Sequence, residues 1–194
     1  MRNRLMTTVA AGVLGGALVL SGCSTGGDQD QAAPSSTSEH QGHGSSGSGG
    51  MEHPMDGGPA PEGIEKAASP KYPVGTEVTL TADHMEGMDG AKATIAGAYD
   101  TFTYAVSFTP TSGGEPVTDH KWVVQQEIKD AGDQRLADGT EVTLEAEHMK
   151  GMKGAKATIA SSTDETAYMV DYESDGMKMT NHKWVVESEI KPVS

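Results

Sequence analysis

The strongest constraint on this chain is a phrase it carries twice. Residues 75–96 read GTEVTLTADHMEGMDGAKATIA, and residues 139–160 read GTEVTLEAEHMKGMKGAKATIA, in a register of 64 residues. A length of 194 residues fits a single domain. An internal repeat takes precedence over length as a guide to architecture. In each copy the first segment alternates polar and apolar, with Val78, Leu80 and Ala82 on one face and Val142, Leu144 and Ala146 in the second copy. A Gly-containing loop follows, then short β-branched runs around Ile95 and Ile159, then YAVSF or YMVDY. The last segment is HKWVV in both copies, running on into Glu-Ile-Lys. Short alternating strands with Gly turns and no helical period predict an all-β fold. We read it as two tandem small SH3-like or KOW-like barrels, residues 71–130 and 134–194, after a disordered tether. Each copy has few large apolar groups, so the two are expected to pack on each other. Trp122 and Trp184 are expected in the core, the alternative being an exposed aromatic platform for a glycan or peptide. Gly87, Gly90, Gly151 and Gly154 are explained by tight turns that want positive φ.

The N-terminus reads as an address. Two cationic residues, Arg2 and Arg4, precede an uncharged apolar run that is too short to span a bilayer comfortably. Leu20-Ser21-Gly22-Cys23 follows and resembles the bacterial lipobox. That resemblance makes residues 1–22 a lipoprotein signal peptide and Cys23 the lipidated first residue of the mature chain. Cys23 is the only Cys. Its modification leaves no thiol for a disulfide, a thiolate metal site or a nucleophile. The expected location is the outer face of a cytoplasmic membrane in a Gram-positive bacterium, held there by a lipid anchor.

Residues 23–70 are rich in Ser, Gly, Pro, Gln and Asp, and read as a disordered tether. Within it lie HQGHG and MEHPM, which place His40, His43 and His53 beside Met51 and Met55. The formal net charge of −14 gives no electrostatic footprint for DNA or RNA. The sequence lacks GxSxG, HExxH and P-loop motifs, and two near-identical copies argue against one asymmetric active site, so no enzyme is expected.

Histidine and methionine are distributed with a bias. The repeats place His84, Met85 and Met88 around the first Gly loop and His148, Met149 and Met152 around the second. Met177 and Met179 sit on a turn of the second copy only. Imidazole and thioether suit Cu(I) and need no thiolate. These residues, with His40, His43 and His53, are therefore the candidate ligands of a soft metal, copper first. Two facts oppose that reading. Met is a flexible core filler that can cap a barrel end. Adjacent strand residues also point to opposite faces, so His84 and Met85 converge only if the chain has left strand geometry. His120 is expected to hydrogen-bond a backbone carbonyl.

HMxGMxGAKATI followed by NHKWVVExEI, behind a lipobox, resembles the YdhK-like lipoproteins of Gram-positive bacteria, which carry this repeat in tandem. The first copy departs from the pattern at Asp119, where the second has Asn181. The resemblance implies a domain of unassigned function, associated with copper-handling genes. The sequence thus leaves two functions open. One is extracytoplasmic copper binding. The other is an adaptor, expected to be monomeric, for a cell-envelope protein or cell-wall polymer.

Overall fold

The computed structural model describes residues 53–193, and the signal peptide, Cys23, His40 and His43 lie outside that range. The described residues contain ten strands and two short 3-10 turns, with no α-helix. Repeat one supplies β2 (Glu77–Leu80), β3 (Lys92–Asp100), β4 (Thr103–Phe108) and β5 (Val117–Val124), after a short β1 (Glu65–Lys66). Repeat two supplies β6 (Glu141–Thr143), β7 (Lys156–Thr163), β8 (Ala167–Ser174), β9 (Met177–Val186) and β10 (Ile190–Pro192).

The strand order overturns the picture of two tandem barrels. One sheet runs β10-β2-β3-β8-β9 with β1 also on β3, and the other runs β5-β4-β7-β6. Neither sheet closes on itself, and each takes strands from both repeats. The chain changes sheets between β3 and β4, and again between β7 and β8. Each half of the molecule therefore joins the front of one repeat to the back of the other. The sequence pattern is satisfied equally by pairing β3 with the chain's own β4 or with β8, because both partners alternate in the same way. The connections Asp100–Thr103 and Thr163–Ala167 are short, and they carry the chain into the other sheet instead of folding it back.

The cores follow this division. Val78, Leu80 and Ile95 pack with Tyr168, Val170 and Val185 of the other repeat. Leu144, Ile159 and Val142 pack with Tyr104, Val106 and Val123. A third cluster, along the seam, holds Trp122, Val124, Trp184, Val186, Ala105 and Met169, drawn from both sheets. Trp122 and Trp184 are both buried, which excludes the exposed platform.

The ordered body also begins earlier than composition suggests. Residues 53–70, read from sequence as tether, lie on it: Asp56 bridges to Thr180 in parallel, and Glu65–Lys66 pairs with Tyr99 and Asp100. Ile64 and Ala60 pack on the seam cluster. An extended strap needs no apolar period, only an edge to pair with, so periodicity could not reveal it.

Because each half needs both repeats, a fragment ending at Asp133 is expected not to fold as a monomer. Size-exclusion with light scattering and far-UV circular dichroism should find it disordered or dimeric. A monomeric, cooperatively melting fragment would refute the exchanged topology.

Candidate functional site

The seam carries an arrangement repeated about a pseudo-twofold axis. Glu127 and Glu189 sit in the two 3-10 turns that follow HKWVV, Gln125–Glu127 and Glu187–Glu189. Each carboxylate accepts three hydrogen bonds. His84 Nε2 lies 2.7 Å from Glu189 Oε1, Trp122 Nε1 donates to Glu189 Oε2 at 3.0 Å, and the Val186 N–H donates to the same oxygen at 3.1 Å. The second set is the same with repeats exchanged. His148 Nε2 is 2.8 Å from Glu127 Oε1, Trp184 Nε1 donates at 2.9 Å and Val124 N–H at 3.2 Å. Each carboxylate thus joins a histidine from the loop of its own half to a tryptophan from the other half.

Burial drives the Glu127 carboxyl upward, but the attraction and hydrogen bond of the His148 ring, with the hydrogen bonds from Trp184 and Val124 N–H, outweigh it, so its pKa lies below the usual value. Glu189 is likewise lowered, with burial opposed chiefly by His84 and then by Trp122 and Val186. Both groups are carboxylates near neutral pH and can only accept. The imidazole nitrogen facing each of them must carry the proton. That leaves Nδ1 of His84 and of His148 as the other ring nitrogen, and both are buried without a hydrogen-bond partner.

Three further imidazoles gather here. His120 on β5 and His182 on β9 are equivalent residues, each edge-on to an aromatic ring, Phe108 for one and Tyr172 for the other. Both follow a residue with positive φ, Asp119 at 49° and Asn181 at 50°, and the strand register shifts on either side. The Lys–Trp peptide bond after each is cis. The positive φ and the register shifts turn both histidines out of simple strand alternation toward the seam. His53, from the strap, stacks on His120 with ring centres 6.1 Å apart, and His120 lies 6.0 Å from His148. His120 Nε2 is buried and unpartnered, which replaces the carbonyl hydrogen bond expected from sequence. Burial, then the neighbouring histidines, holds His120 and His182 at about 3. His53 is lowered as well, by burial first and then by His148.

The methionines divide differently from the sequence reading. Met88, Met149, Met152 and Met179 are buried in the two hydrophobic cores. The loops fold back over the sheet ends through Met88 N–H to Met85 carbonyl and Met152 N–H to Met149 carbonyl bonds, each 3.2 Å, and the thioethers fill the space beneath. Only Met85 and Met177 join histidines. They line a cleft of about 660 Å³ with His53, His84 and His120. The chain has left strand geometry after Leu80, which allows His84 and Met85 to share that cleft. Gly87, Gly90, Gly151 and Gly154 all have positive φ. Sequence reasoning did not select His120, His182, Glu127 and Glu189, although HKWVV and its trailing glutamate recur in both copies.

Two imidazoles on one ion, with ligand bonds near 2 Å, have ring centres about 5–6 Å apart, so the spacing of His120 and His148 fits such a pair. As the rings lie, however, no group of three or more His, Cys, Asp or Glu side chains among the described residues is positioned to hold a metal ion.

The site and sheets define an all-β protein with a carboxylate-braced histidine cluster between two exchanged repeats. The family model described as "Protein of unknown function (DUF1541)" matches twice, at residues 74–125 and 138–187, and the chain belongs to this family. It is similar to the uncharacterized protein YdhK of Bacillus subtilis (strain 168), with 58% identity over 132 residues, covering 67% of this chain and 64% of that protein. The match therefore spans less than two thirds of that relative's length. The crystal structure of the DUF1541 family protein ydhK from the same species, at 2.00 Å, superposes with a TM-score of 0.70 at 54% identity, covering 72% of this chain and 98% of that one. A second ydhK crystal structure gives 0.60 at 58% identity, covering 61% and 98%.

The neutral histidines set a pH dependence. His120 and His182 are held below the ordinary value of 6.5, so the unfolded chain takes up protons there before the folded one does. Their stabilising effect is complete above 6.5 and is lost as pH falls toward about 3. Between pH 6.5 and 4.5 the metal-free protein should lose stability by at most about 2.7 kcal/mol per pH unit, the slope for two protons. Urea midpoints across that window should fall accordingly. They should flatten in a His120→Phe/His182→Phe variant, and an unchanged slope would contradict the assignment.

Proposed function

We propose that this protein is a lipid-anchored, extracytoplasmic metal-binding protein that holds copper among His84, His120, His148 and His182, with His53 supplied by the strap. One observation carries the reading: three buried imidazole nitrogens, His84 Nδ1, His148 Nδ1 and His120 Nε2, have no hydrogen-bond partner. A buried polar atom without a partner is costly and calls for a ligand, an ion or a water. Two of the three belong to rings whose other nitrogen donates to a carboxylate, the relay that fixes the tautomer of metal-ligating histidines and strengthens them as donors. Lowered basicity keeps His53, His120 and His182 free of protons that would compete with a cation. Loading draws the rings together from their present spacing. Imidazole suits Cu(II) and Zn(II), and the thioethers of Met85 and Met177 in the adjoining cleft favour Cu(I). The anchor rests on the resemblance of residues 20–23 to a lipobox.

Titration of the purified protein with Cu(I) against a competing chelator tests this, with Zn(II) as comparator. Copper should bind with a dissociation constant well below micromolar. Joint replacement of His84, His120 and His148 by Ala should weaken it at least about a hundredfold, and Glu127→Gln with Glu189→Gln about ten- to a hundredfold. Met88→Leu and Met152→Leu should leave it unchanged, because those side chains are core. Binding no tighter than micromolar, or binding that survives the triple histidine change, would sink the proposal.

A further inference from the structure

The two halves are alike in core and carboxylate, yet only one of them carries the strap. On β9 the strap pairs in parallel: Thr180 N–H donates to the Met55 carbonyl at 2.9 Å, and Gly57 N–H donates to the Thr180 carbonyl at 2.9 Å. Asn181 Nδ2 donates to Asp56 Oδ1 at 3.0 Å. A Cβ at Gly57 would stand 2.1 Å from the Asn181 carbonyl oxygen, so glycine is required there. The equivalent edge on β5 is Thr118-Asp119, which ends its sheet, and no described segment pairs with it. The cleft of about 660 Å³ lies along this edge, between Val117–Lys121 and the loop of His84 and Met85.

Charge separates the two grooves. Besides Glu127 of the seam, the strap on β9 is flanked by Lys150, Lys153 and Lys183 with Glu145 and Glu147, and Asp171 accepts the Asn181 N–H at 2.7 Å, so charges of both signs meet there. The open one is lined by Asp83, Glu86, Asp119 and Lys121, three negative charges against one positive, and Asp119 stands where the other groove has the amide of Asn181. An aspartate entering the open groove at the place of Asp56 would face Asp119 instead of an amide donor. This accounts for the choice of edge made by the strap.

We propose that the β5 edge is a docking groove for an extended, cationic segment of a partner protein, which adds to the sheet at Thr118 and sets a lysine or arginine, followed by glycine, against Asp119. An exposed edge with free N–H and carbonyl groups is a ready template for strand addition, and the side chains beside it decide which strand. The strap on β9 supplies the geometry, and the acidic lining of the open groove supplies the specificity. His53 already lines the open groove, so the incoming segment needs no histidine of its own. The edge and its charge do not depend on whether the imidazoles hold an ion.

The probe is a synthetic peptide copying residues 54–60 with lysine at the place of Asp56, compared with the parental peptide. Titrated into the full protein and followed by amide NMR shifts, the lysine peptide should bind at least about tenfold tighter than the parent. Its shifts should centre on Thr118 and Asp119. Asp119→Asn copies the residue already tolerated at the same φ in the second repeat, so the fold should survive, and the preference for lysine should vanish. Thr118→Pro should abolish binding of both peptides. Equal affinities, shifts elsewhere, an Asp119→Asn variant that keeps the preference, or a groove that responds to copper ions alone would each overturn the proposal.

Discussion

Two carboxylates at the seam, Glu127 buried and Glu189 partly buried, hold this molecule in register. Glu127 and Glu189 each take a hydrogen bond from a histidine of one half and an indole of the other. A charge in such a place is stable only when every oxygen is satisfied, and removing one donor would leave it uncompensated. The Trp residues cannot shift along the seam without breaking that contact, nor can the loops carrying His84 and His148 swing freely. The same bonds that lock the halves together also fix which nitrogen of each ring is free. Packing and site chemistry are therefore one constraint.

This coupling explains why the histidine cluster sits where it does. The loops reach the seam from above, and β5 and β9 reach it from the sides. Bulged pairing and the positive-φ residues Asp119 and Asn181 bend His120 and His182 toward it. No single repeat contains a complete set. His84 is braced by a glutamate 105 residues away, and His148 by one 21 residues before it. The asymmetry of those separations is a direct result of the exchange of strands.

Much of the fold was legible in the sequence. Alternation placed Val78, Leu80, Val142 and Leu144 facing inward, and the repeat announced two equivalent units. Sheet membership was not legible, because β4 and β8 offer β3 the same alternating face. The candidate site was half legible. His84, His148 and His53 could be selected by residue type, whereas Met88, Met149, Met152 and Met179 satisfy the same compositional rule and turn out to be core. Composition cannot distinguish a thioether that fills space from one that faces a cleft. Glu127 and Glu189 were hidden among 28 acidic residues, and only the backbone irregularity after HKWVV carries them inward.

The crossing of the chain between sheets has a consequence for how such a protein survives in dilute surroundings. Halves built from two separate molecules would come apart on dilution, as any weak pair does by mass action. Here the crossings at residues 101–102 and 164–166 make the second half a permanent neighbour of the first, at a local concentration that dilution does not change. The seam with its histidines closes as a unimolecular event. It persists however sparsely the protein is spread, and opens only when the chain as a whole lets go.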